Sequence, residues 1–157
     1  MENINIEVNQ SKTDEVGSFI QKNQEFYKEK FRKMDETGKS ISWNWPAFFF
    51  GVYWMIYRKM YFKAMAFFIL GVVASYTPYI GGLLNFAVLV GIGIYANALY
   101  QDHVEGSIKK IKLVFPHEKE EVIKKVGGTN LPIALGLGVG LQLFAMAILV
   151  LLPSLFM

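Results

Sequence analysis

The 157-residue chain contains no cysteine. That excludes a disulfide scaffold, thiol catalysis and a cysteine zinc site, and it leaves the redox compartment open. Histidine is almost as scarce, with only His103 and His117. Neither belongs to an H-E-x-x-H helix, because the pair His117-Glu118 has no second histidine four residues along. None of the few serines sits in a G-x-S-x-G elbow, and there is no P-loop. The largest absence is that of charge. No Asp, Glu, Lys or Arg lies in residues 64–100, an uncharged run of 37 residues between Lys63 and Asp102, nor anywhere in residues 131–157, a run of 27. Runs of that length mark membrane-spanning helices.

What is present is apolar. Hydrophobic residues make up 53% of the chain and aromatics 15%. The length suits one domain or one small membrane bundle, not two sizeable modules. The order of charged and uncharged stretches predicts five segments. They are a cytosolic amphipathic-helix head (1–42), an interfacial or re-entrant aromatic helix (43–63), a transmembrane hairpin (64–100), a cytosolic helical linker (101–130) and a C-terminal transmembrane helix (131–157).

In the head, Val16, Phe19, Ile20, Asn23, Tyr27, Phe31 and Met34 recur at three- and four-residue spacing, predicting one helix with a largely apolar stripe. Ser11 and Asp14 fit a capping box at its start, and Gly38 fits a C-terminal stop. Residues 1–10 alternate enough for a short strand, though a loose terminus is the expectation. Such a helix either packs on a neighbour or lies on an anionic membrane surface.

Ten of the twenty residues from Trp43 to Phe62 are aromatic. Trp and Tyr prefer the headgroup level, where the ring is half-buried and the polar atom stays wet. The uncharged part, Trp43 to Tyr57, would measure about 22 Å as a helix, short of a hydrocarbon core of roughly 30 Å. An interfacial helix starting near Pro46 follows. Its membrane-interface anchors would be Trp43, Trp45, Trp54, Tyr57, Arg58, Lys59 and Tyr61, with the cationic stems snorkelling.

Three spans are predicted: Ala64–Ile80, Leu83–Tyr100 after a turn at Thr77–Gly82, and Pro132–Leu152 capped by Asn130. The linker should hold two helices, one running from Asp102 towards Phe115 as a candidate continuation of the second span, the other from about His117 to Val126. Gly136 and Gly140 give the last span a small-residue face for helix packing, repeated by Gly71 with Ser75 and Ala87 with Gly91. Asn97 and Gln142 are amides within the spans and are expected to hydrogen-bond across helices. Asn97, Tyr100 and His103, at three-residue intervals, are expected to dock against the aromatic segment. No span carries an ionisable group, so there is no proton relay of the kind found in many pumps.

Ten of the sixteen Lys and Arg lie in residues 1–63 and the other six in 101–130. With three spans both segments fall on one side, which the positive-inside rule makes cytoplasmic. A fourth span over residues 43–57 would instead send the seven cations before Trp43 outward. The topology is therefore N-terminus in and C-terminus out, with no signal peptide ahead of the first span. The excess of three positive charges is accounted for by topology, so anionic headgroups and not nucleic acid are the expected partner.

Three motifs then converge: F-I-x-K-N-x-x-F-Y-x-x-K-F from Phe19 to Phe31, W-N-W-x-A-F-F-F-G-x-x-W-x-x-Y-R-K-M-Y from Trp43 to Tyr61, and A-N-x-L-Y-x-x-H from Ala96 to His103. Together they resemble a widespread family of small bacterial multi-span membrane proteins of unknown function. Pro46 departs from the small residue expected there. The resemblance implies a bacterial inner-membrane protein with about three spans, and it brings no activity or catalytic residues with it.

The expectation is thus an all-α integral membrane protein without cofactor, metal or enzymatic activity. It would be a membrane-embedded interaction or scaffold protein presenting its cytosolic head to a partner, with a second copy of the chain or another membrane protein as the candidate partners. The alternative is a homo-oligomeric pore or a subunit of a transport complex.

Overall fold

The computed structural model describes residues 2–154, with side chains from Gln10 to Leu151. Every regular element among them is a helix. In chain order these are α1 (Glu2–Ile20), α2 (Gln24–Thr37), α3 (Trp45–Phe50), α4 (Val52–Tyr57), α5 (Tyr61–Ser75), α6 (Gly81–Val114), α7 (Lys119–Val126) and α8 (Leu131–Ser154). They form two compact units. The first runs up to Trp43 and adds Tyr95–Thr129, and the second takes Asn44–Ile94 and the chain from Asn130. Helix α6 therefore contributes to both.

The head is two helices rather than one. Gln21 and Asn23 adopt left-handed φ angles of 57° and 61°, which break the helix between Ile20 and Gln24. The apolar stripe continues across the break because both helices bury it. Val16, Phe19 and Ile20 of α1 and Tyr27, Phe31 and Met34 of α2 all lie in the core. Helix α1 also begins at Glu2, so residues 2–10 are neither strand nor loose, and Ser11–Asp14 lies mid-helix instead of capping a start. Gly38 does end α2, at φ 63°.

The first unit closes around the α1–α7 contact. The Gly128 N–H donates to the Phe19 carbonyl at 2.6 Å, and the Gln21 amide donates to the Lys124 carbonyl at 2.6 Å. Gly127 sits so close to the Phe19 backbone that a methyl group there would overlap its carbonyl. The Glu15 carboxylate, only 8% exposed, is flanked by the ammonium groups of Lys112 and Lys119, which tie α1 to α6 and α7. On the surface of α2, Arg32 and then Lys33 hold the Glu29 carboxyl below the usual carboxylate range.

In the second unit the aromatic stretch is two six-residue helices, each about 9 Å long. Asn44 caps α3 by accepting from the Ala47 N–H at 2.9 Å, with Pro46 in the first turn. Gly51, at φ 47° and ψ −119°, turns the chain between α3 and α4. Only glycine enters that region without strain. Helix α5 ends at Ser75, before Thr77-Pro78, since the residue ahead of a proline disfavours helix. Its 15 residues measure about 22 Å, short of the expected 64–80 span. Helix α6 runs unbroken for 34 residues, so the second span and the first linker helix are one element. Asn130 caps α8 by accepting from the Ile133 N–H at 3.0 Å, and its own N–H donates to the Tyr57 carbonyl at 2.9 Å.

Two helices, α6 and α8 over Leu131–Leu151, are long and apolar enough to cross a membrane. Their surfaces decide what surrounds them. Only 22% and 17% of their most apolar windows are buried. A core helix of a water-soluble protein is covered by its neighbours, and these are not.

Candidate functional site

The residues singled out in the sequence fall into two places, one in each unit. In the first unit, Asn97 of α6 is fully buried. Its amide nitrogen donates to the Ser42 carbonyl and hydroxyl, both at 3.1 Å, and lies 3.4 Å from the Trp43 carbonyl. It fastens the chain leading out of α2 at Ser42 and Trp43. Tyr100, also fully buried, meets Tyr27 edge-on at 5.0 Å between ring centroids and Phe31 at 6.0 Å. His103 stacks on Tyr100 at 6.5 Å and meets the edge of Phe19 at 5.9 Å. Tyr100 and His103 pack on Phe19, Tyr27 and Phe31 of α1 and α2, while Asn97 reaches Trp43, the first residue of the aromatic segment.

In the second unit the aromatic segment splits by exposure. Trp54, Met55 and Ile56 of α4 are buried, and so is Arg58, which is 2% exposed with its guanidinium 5.6 Å from the Tyr57 ring centroid. Trp54 and Arg58 are therefore packing residues, which corrects their expected place at an interface. Trp43, Tyr57 and Lys59 are half-buried. Burial pushes the Lys59 ammonium below its ordinary pKa. The surface instead carries Trp45, Phe49, Phe50, Tyr61 and Phe62, with Trp45 stacked on Phe49 at 5.8 Å. Phe49, Phe50 and Phe62 were not among the expected anchors. Their apolar character was visible, but not which side of two short helices they would occupy.

The glycines of α8 sort the same way. Side chains at Gly136 or Gly140 would meet open space, so the pair makes no packing contact. Gly138 is the one in contact: a methyl there would overlap the Tyr53 ring of α4. The α8 face that borders the cavity of this unit includes Leu135, Gly138, Gln142, Ala145 and Leu149, at alternating spacings of three and four, with Gly138 and Ala145 buried. Gly71 and Ser75 do meet a neighbour. The Ser75 hydroxyl donates to the Gly71 carbonyl at 2.9 Å, and the Asn85 amide donates to Ser75 Oγ at 3.0 Å and to the Gly81 carbonyl at 3.1 Å. Gln142, by contrast, is exposed and bonds to no other described residue.

This packing is testable by substitution. Gly138→Leu should lower stability by about 1–3 kcal/mol through overpacking against Tyr53. Gly136→Leu and Gly140→Leu should be neutral or slightly stabilising, since leucine favours helix over glycine by roughly 0.8 kcal/mol. Thermal unfolding in a mild detergent reads all three.

Between α3–α4, α5, α6 and α8 of the second unit lies a cavity of about 630 Å3. Its walls are apolar apart from Tyr53, Ser75, Asn85 and Gln142, and no charged residue lines it. Among the described residues no cluster of His, Asp and Glu has the arrangement of a metal site.

Fold and surface together define an all-helical protein with two helices of membrane-crossing length and composition. The chain belongs to the DUF2628 family, proteins of unknown function, whose pattern matches residues 10–105. No curated protein and no solved structure matches it. The matched stretch includes the buried Asn97 and Tyr100 of α6 and ends before α7 and α8.

Proposed function

We propose that this is a non-enzymatic protein of a bacterial inner membrane, holding its second unit in the bilayer and presenting its first to a partner protein in the cytosol. The observation that carries the reading is the uncovered apolar surface of α6 and α8. Leu83, Phe86, Leu137, Val139, Leu143 and Phe144 all face outward. Water around so much contiguous apolar surface would be costly, whereas lipid is not.

Three crossings by α5, α6 and α8 keep every cation on the cytosolic side. Helix α5, at about 22 Å, would reach across together with the turn after it, by local thinning of the bilayer. The exposed Trp45 and Tyr61 would mark the headgroup level, with anionic lipid heads beside Lys59 and Lys63.

The first unit supports the role of an interaction head. Its groove of about 640 Å3 is lined by Lys12, Glu25, Glu29, Arg32, Glu36 and Glu105, side chains suited to a polar partner. Leu113, Val114 and Phe115 stand exposed at the end of α6 beside Lys109, Lys110 and Lys112. His103 is engaged in aromatic packing, which leaves it serving the core. A photoreactive residue in place of Leu113 should crosslink one partner protein in native membranes, and the protein purified in mild detergent should have the mass of a monomer. A ring of fixed stoichiometry that carries ion flux into liposomes would replace this reading with a pore.

A further inference from the structure

The cavity of the second unit has the features of a lipid site. It is an open cleft bordered by α3–α4, α5, α6 and α8, and at about 630 Å3 it falls in the range of small-molecule clefts. Its polar groups are uncharged and divide into two sets. Ser75 and Asn85 hydrogen-bond to each other and to the backbone, so they are largely satisfied within the protein. Tyr53 and Gln142 are not: neither side chain bonds to any other described residue. Gln142 is the twelfth residue of the 24-residue α8, about 17 Å along its axis and so near mid-depth. An amide without a partner in hydrocarbon is costly, and water is scarce there. Gly138 lies one turn before Gln142 on the same face, and the Tyr53 ring rests against it. The phenol hydroxyl and the amide therefore border one space, both able to donate.

We infer that this cavity binds a neutral lipid whose uncharged head carries carbonyl oxygens, accepting hydrogen bonds from Gln142 and Tyr53 while its chain lies among Phe67, Leu89 and Leu141. The absence of any charge in the lining discriminates against phospholipid headgroups, whose phosphates would be stranded without a cation. The inference rests on the membrane placement proposed above.

The test uses the full chain in liposomes with a photoreactive, diazirine-bearing diacylglycerol. The expected result is crosslinking to the peptide containing Gln142, at least tenfold above that of the matched phosphatidylglycerol probe. Gln142→Leu should cut that labelling by about tenfold and Tyr53→Phe by about threefold, the range for one lost hydrogen bond. Gly136→Leu, on the uncovered face, should leave it unchanged. Equal labelling by the two probes, or labelling untouched by Gln142→Leu, would overturn the site, as would a crosslink from the α8 peptide to a second copy of the chain. Release of the protein by alkaline carbonate would instead show that the membrane placement had failed, before the cavity is probed.

Discussion

Tyr100→Ala is expected to lower the stability of the first unit by about 3–5 kcal/mol, the usual range for emptying a buried aromatic site. The size follows from what the ring touches. Tyr100 is fully buried and meets Tyr27, Phe31 and His103, so it joins α2 to α6 at their common core. Tyr27 and Phe31 come from α2, which packs on α1 and so cannot follow a receding α6 side chain freely. Tyr100→Phe keeps every ring contact and should fall well short of that loss. Hydrogen exchange of the full chain in detergent checks the effect locally: α2 and the end of α6 should lose protection, while α8 in the other unit keeps it.

The second large effect is expected at Asn97. Its amide nitrogen satisfies Ser42 and approaches the Trp43 carbonyl from a fully buried position. Replacing it with leucine, similar in volume, removes the donor and leaves half-buried acceptors without this partner. Each stranded group costs roughly 1–3 kcal/mol, and the groups here act together, so a total of about 2–4 kcal/mol is expected. Asn97→Asp tests the direction of the bonds. A carboxylate cannot donate, so it should be at least as damaging as leucine despite being closer in shape. Denaturation in detergent, followed by the fluorescence of Trp43 beside the site, reads both variants.

Much of the helical architecture was legible in the chain because its causes are local. Gly38, Pro46, Asn130 and the Gly127-Gly128 pair act through their own backbone geometry, and each sits at a helix end. The uncharged runs likewise gave two helices of membrane-crossing character directly from composition. What was missed depended on partners distant in sequence. The break at Gln21–Asn23 places non-glycine residues in left-handed conformations, which only the docking of α1 on α7 makes worthwhile. Nothing in the local sequence marks it.

The faces were harder still. Gly136 and Gly140 have the four-residue spacing of a packing motif, yet Gly138 makes the contact because Tyr53 arrives on that side. Trp54 and Arg58 look like interfacial anchors by residue type, and the turn at Gly51 sends α4 inward instead. The cavity-lining residues of α8, Leu135, Gly138, Gln142, Ala145 and Leu149, recur at alternating spacings of three and four, the helical signal that groups Gly138 with Gln142.

The most direct test of lipid around the second unit exploits the absence of native cysteine. Single cysteines at Tyr79 in the α5–α6 turn, Leu143 on α8 and Lys110 on α6 are exposed to a membrane-impermeant maleimide, first in intact cells and then after permeabilisation. The expected pattern is labelling of Tyr79→Cys in intact cells, of Lys110→Cys only after permeabilisation, and of Leu143→Cys in neither. Ready labelling of Leu143→Cys in the folded protein would mean that water reaches α8, and the placement of these helices in a bilayer would be contradicted.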